Sequence, residues 1–386
     1  MQEATTNDLF RGGPSLPAAG PCAADRILIV LHDFSGGGTE RVAIRLANQW
    51  ARLGRTVRIF CGHEDGPLRA MVDPRVGVEI ADPPLPRAFL SRVRLGLALA
   101  NAADRFGPDV VVGPGNFHLL VLAVFNWRDR SGAATICKIS NPLDRTNGRG
   151  ASGWVRRRIL NALTADVDAL VAMSPALRAE AAELLGPGRV AARWEPIFDA
   201  GTRLQPEAQR DPTLVLAAGR LEPQKNFALA IEAMAHLSRW TDARLVILGD
   251  GSERGRLSRQ IERLGLHERV RLLGHVSDIK PWLAQASCFL MTSRYEGYPA
   301  ALVEALANGL PAVVTPCSSA LSEILPSAGM YATVPADAGS IAYVLQRMLR
   351  QPRQQSINPL LLARHDEARA AASYLDLMDR VATSRV

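Results

Sequence analysis

The sequence predicts an α/β protein made of two doubly wound halves with parallel sheets. Three observations carry this reading. Short apolar runs alternate with segments whose apolar residues recur at helical spacing, the pattern of strands and helices that stack into a sheet covered on both faces. The alternation pauses in a polar, proline-rich stretch between about Glu195 and Pro212 and then restarts. A length of 386 residues suits two domains at ~150 residues each.

The elements follow in order. Residues 1–24, rich in Pro, Gly and Ala and without the charged start and apolar core of a signal peptide, read as a flexible tail. Residues 26–31 (RILIVL) read as a strand that meets Ser35-Gly36-Gly37-Gly38-Thr39-Glu40. Val42, Leu46, Ala47 and Trp50 then fall at helical spacing up to Gly54. Residues 55–60, 109–112, 134–137 and 169–172 are further strands. After the pause come 213–218, 245–248, 270–273, 288–291 and 312–314, each leading into a glycine or polar loop. The expected division is a domain over 25–195, a linker over 196–211, a second domain over 212–365, and a helical segment over 366–386. Two such halves place their strand C-termini across a common cleft, where ligands bind in open parallel sheets.

Composition narrows the classes. Hydrophobic residues at 47% and charged residues at 22% are ordinary globular usage and exclude a disordered or fibrous chain. The uncharged stretch 110–127 is interrupted by Gly113-Pro114-Gly115, Asn116 and His118, so it reads as strand, turn and helix rather than a membrane span. The net charge of +7 favours anionic partners. Only Lys138, Lys225 and Lys280 are lysines, so a lysine beside turn residues stands out. The five cysteines are scattered, mostly in apolar runs, with neither a disulfide framework nor metal spacing. A reducing cytosol is the expected compartment.

Three segments carry chemistry. In SRYEGYPAALVEALANG (293–309), a strand ends just before the loop, Pro299 suits a first helical turn, and Asn308-Gly309 suits a helix end. Glu296 is then on the loop at the cleft, with Tyr298 beside it and Glu304 about two turns into the helix. The unpaired amides of Ala300, Ala301 and Leu302 make an anion site at the helix N-terminus. The second segment, Gly219-Arg220-Leu-Glu-Pro-Gln-Lys225, offers a guanidinium that grips a diphosphate with two hydrogen bonds and an ammonium that adds a point charge. The third is Gly36-Gly37-Gly38. It has neither the G-x-G-x-x-G of a dinucleotide fingerprint nor the G-K-[ST] of a phosphate-binding P-loop. Gly37 and Gly38 still permit close approach of backbone to a phosphate or sugar.

Other features read as structural. Asp166-Val-Asp168 imitates a metal-binding D-x-D but precedes an apolar run, so it is a helix-to-strand connection, and the seven histidines show no ligand spacing. No metal site is expected. Residues 90–95 and 154–159 are basic, apolar helical segments suited to an anionic membrane or to plain solvation. They carry few aromatics for base stacking, so nucleic acid is not an expected partner.

With these motifs in place, the chain resembles the retaining nucleotide-sugar glycosyltransferases of the GT-B fold, family 4, from GGGTERV (36–42) through SRYEGYPAALVEALANGLP (293–311). The resemblance implies that Glu296 lies by the donor sugar, that Glu304 holds the ribose hydroxyls, and that Arg220 and Lys225 bind the diphosphate. It further implies that the glycine loop faces the diphosphate and the acceptor. His118 is the candidate for a histidine that many relatives carry soon after the strand at 109–112. This chain has Gly113-Pro114-Gly115 at that place, Thr315-Pro316-Cys317 where relatives often carry glycine, and Glu195-Pro196 for the usual Asn-Pro.

The expected activity is retaining transfer of a hexose or N-acetylhexosamine from a nucleotide-diphosphate sugar to a hydroxyl of a lipid-linked or surface-glycan acceptor. No cofactor is expected, and family frequency favours UDP over GDP donors. The expected place is the cytoplasm, peripheral at the inner face of the membrane. The alternatives are a sugar-nucleotide epimerase of similar fold and a non-catalytic nucleotide-sugar or glycan-binding protein.

Overall fold

The computed structural model describes residues 23–143, 151–186, 188–199, 210–276, 278–327, 330–350 and 359–385. The tail up to Cys22 and linker residues 200–209 lie outside them. The first half contains β1 (Arg26–Leu31), α1 (Gly38–Arg52), β2 (Thr56–Cys61), β3 (Gly77–Ile80), α2 (Ser91–Phe106) and β4 (Val110–Gly113). It continues with α3 (Leu119–Arg128), β5 (Ala134–Ile139), α4 (Ala151–Thr164), β6 (Ala169–Ala172), α5 (Pro175–Leu185) and β7 (Val190–Ala192). The second contains β8 (Leu214–Ala218), α6 (Phe227–Leu237), β9 (Arg244–Leu248), α7 (Arg254–Arg263), β10 (Val270–Gly274), α8 (Lys280–Gln285) and β11 (Cys288–Met291). It ends with α9 (Ala300–Ala307), β12 (Ala312–Val314), α10 (Leu321–Ile324), β13 (Tyr331–Thr333) and α11 (Ala338–Arg350). Two more helices follow, α12 (Pro359–Arg364) and α13 (Glu367–Thr383).

Both sheets are parallel throughout. Their strand orders are β3-β2-β1-β4-β5-β6-β7 and β10-β9-β8-β11-β12-β13. Each order reverses direction once, between β1 and β4 and between β8 and β11, and such switch points open a crevice at the strand C-termini. This is the GT-B architecture. The strands β3, β7 and β13, absent from the sequence-based reading, are short edge strands.

The alternation of side chains builds the layers. Along β1, Leu28 and Val30 pack with Leu95, Leu99, Val121 and Phe125 of α2 and α3. Ile27, Ile29 and Leu31 pack on the other face with Ile44 and Trp50 of α1 and Tyr374 and Met378 of α13. In the second sheet, Val215 and Ala217 face Ile231, Met234 and Leu345. The C-terminal helix thus lies on the first domain. Trp50 Nε1 donates to Ala371 O at 3.1 Å, and Arg55 pairs with Asp379 at 2.8 Å.

The chain crosses between domains twice, before residue 199 and again around His365. The crossings are joined by main-chain bonds. The amides of Ile197 and Phe198 donate to His365 O at 2.9 and 3.0 Å, and Glu367 N donates to Phe198 O at 2.9 Å. Glu195 is buried here and pairs with Lys138 Nζ of β5 at 2.6 Å.

Candidate functional site

A polar cluster sits at the switch point of the second domain. Lys225, in the loop after β8, places Nζ 2.6 Å from Glu296 Oε1, in the loop after β11. Ser293 Oγ donates to the same oxygen at 2.6 Å, and Gln224 Nε2 donates to the Tyr295 carbonyl at 3.0 Å. Glu296 is almost fully buried while the Lys225 side chain is 24% exposed, so the ammonium faces the cleft from an anchored carboxylate.

Gly219 makes this possible. Its φ is +152°, and a Cβ there would sit 2.8 Å from Lys225 Cε, so the lysine arm lies directly over the bare backbone. Gly249 (φ +133°), at the end of β9, packs in turn on the Gly219 carbonyl. The sequence-based reading missed Gly249, although the Leu-Gly-Asp-Gly run (248–251) marks the turn. Arg220 is exposed beside this loop and lies within electrostatic reach of Glu40 across the cleft.

Two features of the α9 segment differ from expectation. The helix starts at Ala300, so Glu304 lies little more than one turn in, not two. Its first-turn amides are also largely spent. Ala300 N donates to Tyr298 O and Leu302 N to Pro299 O, both at 3.0 Å, because Pro299 folds the entry into a tight turn whose carbonyls meet them. Of the three amides, only that of Ala301 has no backbone acceptor of this kind. The first turn of α1 carries a carboxylate of its own, because Glu40 folds back over Gly37, where a Cβ would fall on Glu40 Oε2. Gly37 is the N-cap of α1, a Cβ at Gly38 would touch nothing within 4 Å, and none of Gly36, Gly37 and Gly38 needs a positive φ. The glycines here supply space rather than an unusual backbone.

Glu304 faces the first domain. Burial lifts its carboxyl to about 7 against the pull of Arg45 and Arg41 on α1 and Lys280 on α8. The two glutamates therefore differ in setting: Glu296 has a lysine at hydrogen-bond distance, whereas Glu304 has arginines only at longer range.

The first domain contributes groups that sequence reasoning did not single out. Asp33, just after β1, accepts from Arg87 Nε at 2.5 Å and from Ser35 N at 3.0 Å. Burial works to raise its carboxyl, but these bonds and the His32 contact outweigh it and hold the group well below the usual carboxylate range. Arg87 also reaches Glu40 at 3.5 Å, and burial raises the Glu40 carboxyl. His118 is buried in the turn after β4, and both its ring nitrogens lack a partner among the described residues, as does His32 Nε2. Burial drives the His118 pKa down to about 3, so the ring is neutral.

The domains meet closely at Gly297. A Cβ there would fall on the Ser140 carbonyl and 2.6 Å from Met173 Cε, so the donor-side loop rests on the end of β5. The segment 315–323, which runs into α10, supports it from behind. Cys317 O accepts from Glu296 N at 2.7 Å, Ser318 Oγ donates to Gly297 O at 2.7 Å, and Glu323 Oε1 accepts Ala176 N of α5 at 2.8 Å. Tyr298 turns away from the cleft. It is 8% exposed, and its hydroxyl is 3.0 Å from His365 Nε2. Asp168 accepts from Thr135 N at 2.7 Å and pairs with Arg385 at 2.8 Å, tying β5, β6 and the C-terminal end together. Among the described residues no group of three His, Cys, Asp or Glu side chains is arranged to hold a metal ion, and no described helix is long and apolar enough to cross a membrane.

Comparison with known proteins places the fold. The pattern of the family "Glycosyl transferases group 1" matches residues 202–358, and that of "Glycosyltransferase Family 4" matches residues 36–193. The amylovoran biosynthesis glycosyltransferase AmsD of Erwinia amylovora is 36% identical over 122 residues, 31% of this chain and 34% of that one. The chain thus aligns with about a third of AmsD. The lipopolysaccharide core biosynthesis glycosyltransferase LpsE of Rhizobium meliloti is 27% identical over 297 residues, 74% of this chain and 77% of that one. Among solved structures, Anabaena Alr3699/HepE in complex with UDP and glucose superposes with a TM-score of 0.72 at 17% identity, covering 92% of this chain and 99% of that one. The two-sheet fold and both family matches lead to one assignment: the chain belongs to the group 1, family 4 glycosyltransferases of the GT-B fold.

Proposed function

We propose that the chain transfers a hexosyl or N-acetylhexosaminyl group, with retention of anomeric configuration, from a nucleotide-diphosphate sugar to a hydroxyl of a lipid-linked or surface-glycan acceptor. The observation that carries this reading is the Lys225–Glu296 pair at the switch point, with Arg220 beside it. As the bond from the anomeric carbon to the diphosphate breaks, negative charge builds on the leaving oxygen. Arg220 and Lys225 meet that charge. In this reading they do the charge stabilisation without a divalent ion. Glu304 accepts the ribose hydroxyls, and Glu296 stays fixed beside the sugar once Lys225 turns to the diphosphate. The leaving oxygen takes the acceptor proton while the acceptor oxygen bonds to the anomeric carbon from the same face.

The UDP and glucose held by the Anabaena neighbour support a uridine donor, and the glycan-building names of AmsD and LpsE support a glycan acceptor. Peripheral membrane contact is supported by α4, which exposes Trp154, Val155 and Ile159 beside Arg156, Arg157 and Arg158.

The test incubates the full chain with UDP-hexoses and UDP-N-acetylhexosamines, with and without a glycolipid extract as acceptor. Expected are UDP release that needs the acceptor and a glycoside with the donor's anomeric configuration by proton coupling constants. An epimerised donor pool, acceptor-independent turnover or an inverted product overturns the reading. Sedimentation with anionic against neutral vesicles, repeated with Trp154→Ser, tests the membrane contact: binding that ignores lipid charge and the tryptophan removes it.

A further inference from the structure

We propose that Tyr298 and His365 are positioning residues for the transfer reaction, joining the double crossing between domains to the loop that carries Glu296. The inference rests on the transferase reading for its kinetic arm only.

One ring holds both ends of this link. His365 lies where α12 meets α13, and its main-chain oxygen already receives the amides of the other crossing, Ile197 and Phe198. Its Nδ1 is 2.9 Å from the Glu195 carbonyl oxygen. A carbonyl only accepts, so Nδ1 carries the proton. Burial pushes the ring pKa down to about 4, which leaves Nε2 as a bare lone pair. The Tyr298 hydroxyl, 3.0 Å away, is the donor that satisfies it, and burial raises that phenol and keeps it protonated.

Three rings from three segments close around this bond. Trp194, on the first crossing, meets Tyr298 edge-on at 6.3 Å and His365 at 5.7 Å between centroids, and the Arg364 guanidinium lies 4.7 Å over Trp194. Glu195 is itself fixed by Lys138 of β5. The far end of the chain of contacts is the site: Tyr298 is two residues from Glu296 and one before the N-cap of α9, while Gly297 between them rests on Ser140 of the first domain. A rotation of the domains about the crossings therefore pulls on the loop through the Tyr298 hydroxyl. That bond fixes where Glu296 sits when the cleft closes. Tyr298 acts through its loop and not by touching the donor.

The test uses the full chain carrying Tyr298→Phe, which deletes only the hydroxyl; His365→Asn, which keeps a donor for Glu195 O and removes the acceptor for Tyr298; and both together. Hydrogen exchange without any ligand is read at the amides of Ile197, Phe198 and Glu367. The expectation is exchange at least tenfold faster at those amides in Tyr298→Phe, in a protein that melts cooperatively, and unchanged exchange overturns the inference. In the transfer assay the expectation is a fall in kcat of at least tenfold with the donor KM within threefold, and a double variant no worse than either single one. An unchanged kcat, a loss carried by KM, or additive losses overturn it. If the unsubstituted chain releases no nucleotide from any donor, the functional reading fails while the exchange measurement still decides the Tyr298–His365 link. Should Tyr298→Phe not fold, His365→Asn is read by the same measurements.

Discussion

Replacing Lys225 with methionine separates stability from catalysis at the switch point. The substitution Lys225→Met removes the ammonium and keeps most of the arm that lies over Gly219. Glu296, with a side chain 7% exposed, loses its cation at 2.6 Å and retains the Ser293 hydroxyl at 2.6 Å. Stranding a fully buried charge costs about 3–5 kcal/mol, whereas one lost charge-assisted hydrogen bond with water access costs about 1.5–3 kcal/mol. Glu296 keeps Ser293 and Gln224 as partners, and the opening at the 24% exposed lysine arm admits water to the vacated ammonium position, so the second case applies and a loss near 2 kcal/mol is expected. Turnover falls further, by about 10²–10³, since a cation aimed at developing charge supplies ~3–4 kcal/mol in the transition state. In the double variant Lys225→Met/Glu296→Gln the stranded charge disappears, so stability returns towards the starting value while turnover stays low. Urea unfolding with an unchanged slope reads the first quantity and nucleotide release under saturating donor reads the second. Turnover of Lys225→Met within twofold of the parent, or a double variant less stable than both single ones, refutes the reasoning.

Other consequences follow from the same geometry. Burial holds the Glu304 carboxyl at about 7, so donor binding that uses it as an acceptor weakens as pH falls through 7, approaching tenfold per unit. Calorimetry from pH 6 to 8 reads this, and Glu304→Gln flattens the profile and costs ~1.5–3 kcal/mol of donor affinity. Gly297→Ala puts a Cβ on the Ser140 carbonyl, which holds the domains apart. Turnover drops at least tenfold with little change in urea midpoint, and small-angle scattering reports a larger radius. His118 and His365 are kept neutral by burial, near 3 and 4. Between about 6.5 and those values the unfolded chain binds more protons than the folded one, so stability falls with falling pH by up to ~1.4 kcal/mol per unit for each histidine. Glu304, between its ordinary value and 7, and Glu40, also raised by burial, contribute with the opposite sign, and a Glu40→Gln/Glu304→Gln background removes both. There the urea midpoint declines below pH 6.5, and His365→Asn makes the slope shallower.

Much of this was legible locally. The strands that were read from sequence are runs such as 26–31 and 288–291, buried on both faces and followed by a glycine or polar loop, so hydrophobic pattern and turn chemistry agree. The missed strands β3, β7 and β13 sit at sheet edges, where a three- or four-residue segment with exposed positions carries little periodic signal. In the site, Lys225, Glu296 and Gly219 were visible as motifs, but the reason for Gly219 was not, because the lysine arm covering it comes from six residues on. The Asp33, Glu40 and Arg87 cluster joins segments some fifty residues apart, and no local pattern marks it. The first turn of α9 misled for a different reason. Unpaired amides are the rule at helix starts, yet the Tyr298-Pro299 turn brings carbonyls back to two of them. Tyr298 read as a donor-side side chain since it adjoins Glu296, while the residue that holds its hydroxyl, His365, is 67 residues away in sequence.

Arg220, Lys225 and Glu304 together form the proposed seat of a nucleotide-diphosphate sugar. The most direct measurement is a calorimetric titration of the full chain with UDP, GDP, ADP and their common sugar conjugates in EDTA, repeated with Arg220→Ala and with Glu304→Gln. One nucleotide diphosphate series is expected to bind without a divalent ion, and each substitution to weaken it at least tenfold. Absence of binding by every series, binding that appears only on adding a divalent ion, or affinity unchanged in both variants contradicts it.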